Sequence, residues 1–161
     1  MSTLETDFET GEEKGPVQFA MITQYVKDLS FENPRAPESI RKMQEGKPDI
    51  KINVNINARK VGEEGFEVDL ELSATAKLEK ETMFIAELNY GALFGVRNVA
   101  EDQLQPLLLI ECPRLMFPYA RRVFADAIRD GGFPPVMLDP IDFAALYRQQ
   151  QEGVDPSVTK N

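Results

Sequence analysis

Phe66-Glu67-Val68-Asp69-Leu70-Glu71-Leu72-Ser73-Ala74-Thr75-Ala76-Lys77-Leu78 alternates apolar and polar residues without a break. A period of two puts every second side chain on one face of a strand. This strand therefore has one buried and one wet face, the pattern of an antiparallel sheet rather than a parallel one. The same rhythm occurs on both sides of it. Upstream, Ile50, Ile52, Val54, Ile56 and Ala58 alternate with Lys51, Asn53, Asn55, Asn57 and Arg59. Downstream, Phe84, Ala86, Leu88, Tyr90, Ala92 and Phe94 alternate with Met83, Ile85, Glu87, Asn89, Gly91 and Leu93. Val61 to Gly65 and Glu79 to Glu81 are short turns between them, so the three strands form a meander.

An earlier strand is expected from about Val17 to Phe31. Val17, Phe19, Met21, Tyr25, Leu29 and Phe31 are assigned to one face, and Gln18, Gln24, Asp28, Ser30 and Glu32 to the other. That second face also takes Ile22 and Val26, so the strand is partly apolar on both sides. Asn33 to Pro48 is too long for a hairpin loop and reads as a crossing connection. It lays the first strand beside the last, giving the order 1-4-3-2 and leaving strand 1 at an edge, where it invites pairing with another chain.

The remainder is helical. Pro106 confines the start of a first helix to about Asp102 to Gln105, and Cys112-Pro113 is expected to break it. A longer helix from about Leu115 to Asp130 carries Ala120, Val123, Phe124, Ala127 and Ile128 on one face. Gly131-Gly132 ends it. Phe133 to Leu138 is extended, and a last helix starts near Asp142, a good cap. Strands first and helices afterwards is α+β: a four-stranded antiparallel sheet with helices packed on one face.

Composition excludes several classes of function. The 161-residue chain has no histidine, so the commonest general base and metal ligand are absent. Its one cysteine, Cys112, excludes an internal disulfide or a cysteine cage and reads as a small buried residue. The net charge of −9 argues against nucleic acid and anionic lipid, and favours a basic partner. Glycines 62 and 65 flank two glutamates rather than forming a phosphate loop. Glu67, Asp69 and Glu71 form an acidic comb that could hold a hard cation, although polar-out alternation makes such combs by default, and a solvated face is the expectation. Arg121-Arg122 reads as packing against acids rather than as a phosphate clamp. No catalytic set and no cofactor or metal site is expected.

Residues 1–15 read as a disordered acidic arm, 16–151 as one domain and 152–161 as a flexible tail. The acidic N-terminus lacks the apolar run of a secretory signal, and no run is long enough to span a bilayer. The expected compartment is the cytoplasm. Apolar residues nonetheless remain where alternation calls for water: Ile22, Val26, Met83 and Ile85 on the polar face, with Leu146, Tyr147, Phe133, Met137 and Leu138 in the second half. Together they suggest more apolar surface than a monomer hides.

Two motifs carry a resemblance. Leu115-Met116-Phe117-Pro118-Tyr119-Ala120-Arg121, followed by Gly132-Phe133-Pro134, resembles the signature of the SecB protein-export chaperone family. Tyr25-Val26-Lys27-Asp28-Leu29-Ser30-Phe31-Glu32-Asn33-Pro34 and Ala36-Pro37 match it upstream, and the resemblance covers roughly Gln18 to Gln151. It implies an ATP-independent chaperone that holds unfolded precursors in an export-competent state. It also implies a homotetramer, a dimer of dimers, with strand 1 edges pairing within a dimer and Phe117, Tyr119 and Arg121 at the contact between dimers. By the same resemblance, clients lie in an apolar groove at Ile50, Ile52, Val54, Leu146 and Tyr147. The export ATPase SecA docks on Asp28, Glu32, Ile85 and Glu87 through a basic segment whose zinc belongs to that partner. Two other readings stand beside this one: a SecB-like chaperone dedicated to a toxin–antitoxin pair, and a small-molecule binding domain or enzyme.

Overall fold

The alternating segments lie side by side. In the structure, a computed structural model that describes residues 15–152, strand β1 spans Gln18–Glu32, β2 Asp49–Val61, β3 Gly65–Leu78 and β4 Glu81–Arg97. They form one four-stranded sheet in the order β1-β4-β3-β2, with every neighbouring pair antiparallel. The expected fold class and strand order are those observed. The arm and tail readings lie outside the described residues, apart from Gly15 and Glu152.

The β3–β4 hairpin closes through Glu79 and Lys80, whose φ angles are 51° and 70°. Positive φ at both turn residues matches the right-handed twist of the strands, although neither is the glycine or asparagine that adopts it most readily. The inward row of β3, Val68, Leu70, Leu72, Ala74 and Ala76, is almost completely buried. So are Phe84, Ala86, Leu88, Ala92 and Phe94 on β4.

Strand β1 departs from simple alternation. Its pairing with β4 slips between Met21 and Thr23 and again between Val26 and Asp28, leaving Ile22 and Lys27 as bulged residues. Each inserted residue exchanges the faces of everything after it. Three assignments are corrected as a result. Tyr25 pairs with Gly91 and points to the outer face, whereas Gln24 and Val26 pair with Ala92 and Tyr90 on the helix side. Tyr90 Oη donates to Gln24 Oε1 at 2.8 Å. Val17 lies just before the strand and is exposed. Met83 is also corrected: a slip between Ala76 and Lys77 leaves it unpaired beside Phe84, and it is fully buried rather than on the polar face.

The helical layer covers the inward face. A short helix α1, Glu38–Lys42, sits in the crossing connection. Helix α2, Glu101–Pro106, continues through a π-helical turn, Leu107–Glu111, into helix α3, Cys112–Asp130. The expected break at Cys112-Pro113 does not occur. In the wide turn Cys112 N–H bonds to Leu107 O, five residues back. In an ordinary α-helix the Pro113 ring would strike the carbonyl of Leu109, and the wider turn relieves that clash. Helix α3 packs on β3 and β4. Cys112, Met116, Ala120, Phe124 and Ile128 recur at helical spacing and are buried on it. Burial pushes the Cys112 thiol up to about 12, which makes it an inert core residue. Helix α4, Phe143–Gln151, is capped by Asp142, which accepts from Ala145 N–H at 3.0 Å.

The end of α3 is locked to β1 by aromatic packing. Phe31, Phe84 and Phe133 form a cluster with ring centroids 5.8, 6.2 and 4.8 Å apart. Gly131 adjoins it: a Cβ there would lie 2.1 Å from Phe31 Cε1. Its φ of −74° suits any residue, so space rather than backbone freedom requires glycine. Gly131→Ala should therefore lower stability by about 1–3 kcal/mol, the usual cost of overpacking. Phe31→Leu should recover part of that loss. A double-mutant cycle by denaturant unfolding measures the coupling, and strict additivity would contradict the assignment.

Candidate functional site

The inward row of β2 is the least covered part of the sheet. Ile50, Ile52, Val54 and Ala58 are half-buried and only Ile56 is buried, because β2 is an edge and α3 lies over β3 and β4. Among the described residues only β3 pairs with β2, so its other side presents backbone N–H and C=O groups without a strand partner. The turn Leu107–Glu111 rests on the row and also touches α4. A cavity of about 410 Å³ opens there, lined in part by Ile56, Ala58, Leu104, Leu108 and Leu109.

The predicted groove residues therefore fall into two groups. Ile50, Ile52 and Val54 are contiguous on β2. Leu146 packs partly buried against the core, and Tyr147 reaches Gln105 Oε1 at 3.5 Å. Leu107–Glu111 is the element common to both. Sequence reasoning missed Leu104, Leu108 and Leu109 as lining. The signal for Leu108 and Leu109 was the apolar run Leu107 to Ile110 just after Pro106; Leu104, before the proline, had none.

The outer face carries the polar residues. Across β1 and β4, Glu32 pairs with Ile85, Ser30 with Glu87 and Asp28 with Asn89. Asp28, Glu32, Ile85 and Glu87 thus share one patch, with the three carboxylates exposed. On β3, Glu71 Oε2 accepts from Asn55 Nδ2 at 3.0 Å.

Beside this patch the expected solvated comb is corrected. Glu67 is only 6% exposed. Tyr25 Oη donates to it, Lys27 Nζ lies 2.9 Å away and Arg59 Nε 2.8 Å away. Lys27 also reaches Asp69 at 3.0 Å. These donors hold the Glu67 carboxyl down at about 2, and burial with the neighbouring carboxylate pushes Tyr25 up to about 12. Glu67 and Asp69 thus belong to an ion cluster on the outer face, and Glu71 pairs with Asn55 instead. Among the described residues no group of three or more potential ligands is placed to hold a metal.

The predicted contact residues on α3 divide similarly. Phe117 is 5% exposed and packs edge-on against Phe143, with centroids 6.0 Å apart. The Arg121 guanidinium lies 5.5 Å from the Phe117 ring centre and donates to Leu138 O at 3.3 Å. Both brace α3 against the chain leading into α4. Tyr119, with Leu115 four residues earlier, is exposed.

The model of the preprotein translocase subunit SecB matches residues 12–153. The chain belongs to the SecB family. The protein-export protein SecB of Maricaulis maris is 56% identical over 133 residues, covering 83% of this chain and 77% of that protein. The SecB of Azorhizobium caulinodans is 52% identical over 130 residues, 81% of each chain. A solved structure of a SecB-like chaperone from Mycobacterium tuberculosis, in complex with an antitoxin peptide, superposes with a TM-score of 0.58 at 18% identity. It covers 78% of this chain and 90% of its own, and shares the fold. Among the described residues of this SecB chain, no helix is long and apolar enough to cross a membrane.

The Glu67 cluster makes stability depend on acid. The folded-state pKa of Glu67 lies below the ordinary value of 4.5, so the stabilisation is fully present above that value. It is lost as pH falls from about 4.5 towards 2. Thermal unfolding across that range should show a steeper decline in the native protein than in Glu67→Gln; parallel curves would contradict the assignment.

Proposed function

We propose that this SecB chain is an ATP-independent holding chaperone for protein export. It keeps unfolded precursors extended along the β2 groove and passes them to SecA. The supporting observation is the half-exposed apolar row Ile50-Ile52-Val54 on an open strand edge, beside the Leu104–Leu109 cavity. Apolar contact is non-directional, so such a row accepts many chains. The free strand edge adds backbone hydrogen bonds that read no side chain. Holding needs only binding, so neither nucleotide nor a catalytic residue takes part.

On this reading the outer patch of Asp28, Glu32, Ile85 and Glu87 receives the basic segment of SecA. Three exposed carboxylates around one aliphatic residue suit a basic partner with an apolar contact at its centre. Strand β1 and the exposed Leu115 and Tyr119 provide the contacts of a homotetramer built as a dimer of dimers. Val17, Ile22, Val26 and Leu29, all more than 40% exposed at or near the β1 edge, are the surface that assembly would cover. The compartment is the cytoplasm, where precursors are made. For the toxin–antitoxin reading, the Mycobacterium tuberculosis neighbour adds likeness of fold alone.

The purified protein should delay aggregation of an unfolded precursor without nucleotide, as followed by light scattering. Absence of any delay at a tetramer-equivalent dose would refute the holding role. Ile52→Ser together with Tyr147→Ser should weaken precursor binding about tenfold or more, each replacing buried apolar area worth about 1–2 kcal/mol. Asp28→Lys with Glu87→Lys should abolish SecA binding while leaving precursor affinity unchanged. Equal loss of both affinities would contradict the separation of the two surfaces.

A further inference from the structure

The bulge at Ile22 exchanges the faces of β1, and the bulge at Lys27 exchanges them back, so Asp28 and Glu32 face outward. Upstream, Val26 pairs with Tyr90 on the helix side. Without an inserted residue, Lys27 would pair with Asn89, Asp28 with Leu88 and Leu29 with Glu87. Asp28, Ser30 and Glu32 would then turn into the core side, and Leu29 and Phe31 would turn out. With the bulge, Asp28 pairs with Asn89 and Glu32 with Ile85.

Two anchors hold this kink. Downstream, Phe31 is seated against Phe84 and Phe133. Upstream, the bulged residue itself reaches across β4 to β3, where Lys27 Nζ meets Glu67 at 2.9 Å and Asp69 at 3.0 Å. It can cross because the intervening position is Gly91. A Cβ there would lie 2.7 Å from Tyr25 Cε2 and 3.0 Å from Lys27 Cδ. Tyr25 follows the same route to Glu67. Arg59 on β2 closes on Glu67 from the opposite side at 2.8 Å, so the cluster spans the sheet from edge to edge.

We propose that Lys27, strapped over Gly91 to Glu67 and Asp69, is a positioning residue for the acidic face: it holds the bulge that presents Asp28 and Glu32 beside Ile85 and Glu87. The role rests on the docking of SecA at that face. Lys27 touches the partner through none of these contacts; it sets the register of the residues that do.

Charge and geometry predict opposite signs, which makes the test sharp. Lys27→Met makes the face one unit more negative, which by charge alone tightens binding of a basic partner. If Lys27 positions the face, SecA affinity instead falls about 5- to 10-fold. Gly91→Ala, with no change of charge, causes a similar loss by displacing Tyr25 and Lys27. Lys27→Arg, still able to pair with both carboxylates, restores most of the affinity. Amide hydrogen exchange at residues 28–32 speeds up in Lys27→Met and in Gly91→Ala, while precursor affinity stays within twofold. Unchanged or tighter SecA binding in folded Lys27→Met overturns the proposal. Should that variant not fold, unchanged binding in Gly91→Ala overturns it equally. An Asp28→Lys control separates the two ideas. If it leaves SecA affinity intact, the docking assignment itself fails and the positioning role falls with it. If it loses affinity while Lys27→Met does not, only the positioning role is lost.

Discussion

Strict alternation of faces along a strand governs this molecule. The sheet has one side covered by helices and one side in water, and a residue changes sides only when the chain inserts an extra one. β2 and β3 never do so. Their apolar rows stay inward and their polar rows outward, apart from Lys60 and Val61 where β2 ends. β4 does so once, beside the β3 hairpin, and gains Met83 for the core. β1 does so twice, and the stretch between the two insertions, with Gln24, Tyr25 and Val26, is exchanged between helices and solvent. The second insertion undoes the first, so the acidic patch keeps its outward face only while both are in place or both absent.

The helical layer faces a comparable constraint. One continuous path from Glu101 to Asp130 has to carry Pro106, Pro113 and Pro118. A regular α-helix loses a hydrogen bond and meets a steric clash at each interior proline. The π turn at Leu107–Glu111 absorbs this where it also serves packing, since its leucines fill the space between α4 and β2. Because the turn, rather than a long helix, lies over β2, that strand remains only half covered.

Much of this was legible from the residues. Alternation over β2, β3 and β4 gave strands and meander, and the faces except that of Met83. The long proline-bearing connection gave the crossing and hence the strand order. Asp142 and Gly131-Gly132 marked helix ends where they occur. Bulges were not legible, because an inserted residue looks like noise in a period of two; Ile22 and Lys27 can be identified only once β1 is set against β4. The continuity through Cys112-Pro113 was also hidden, since a π turn has no residue signature and proline normally signals a break. The patch at Asp28, Glu32, Ile85 and Glu87 came from motif resemblance, and its four members prove contiguous. Leu108 and Leu109 were overlooked because a leucine run near a helix start looks the same in a core and beside a cavity.

The sheet separates two apolar and polar surfaces by the thickness of a single layer. Residues on one strand serve opposite sides: Ile85 and Glu87 point out, while Ala86 and Leu88 point in. A chain bound in the β2 groove and a partner bound outside therefore do not compete for the same atoms. Any influence of one on the other has to pass through strand register or twist, and it is reciprocal when it does. β1 is where such an influence is cheapest. It is an edge strand, kinked twice, tied at one end by the Phe31 aromatic cluster and at its middle by the Glu67 ion cluster. β3 and β4, paired on both sides and carrying most of the core, are the rigid floor against which that movement would be measured.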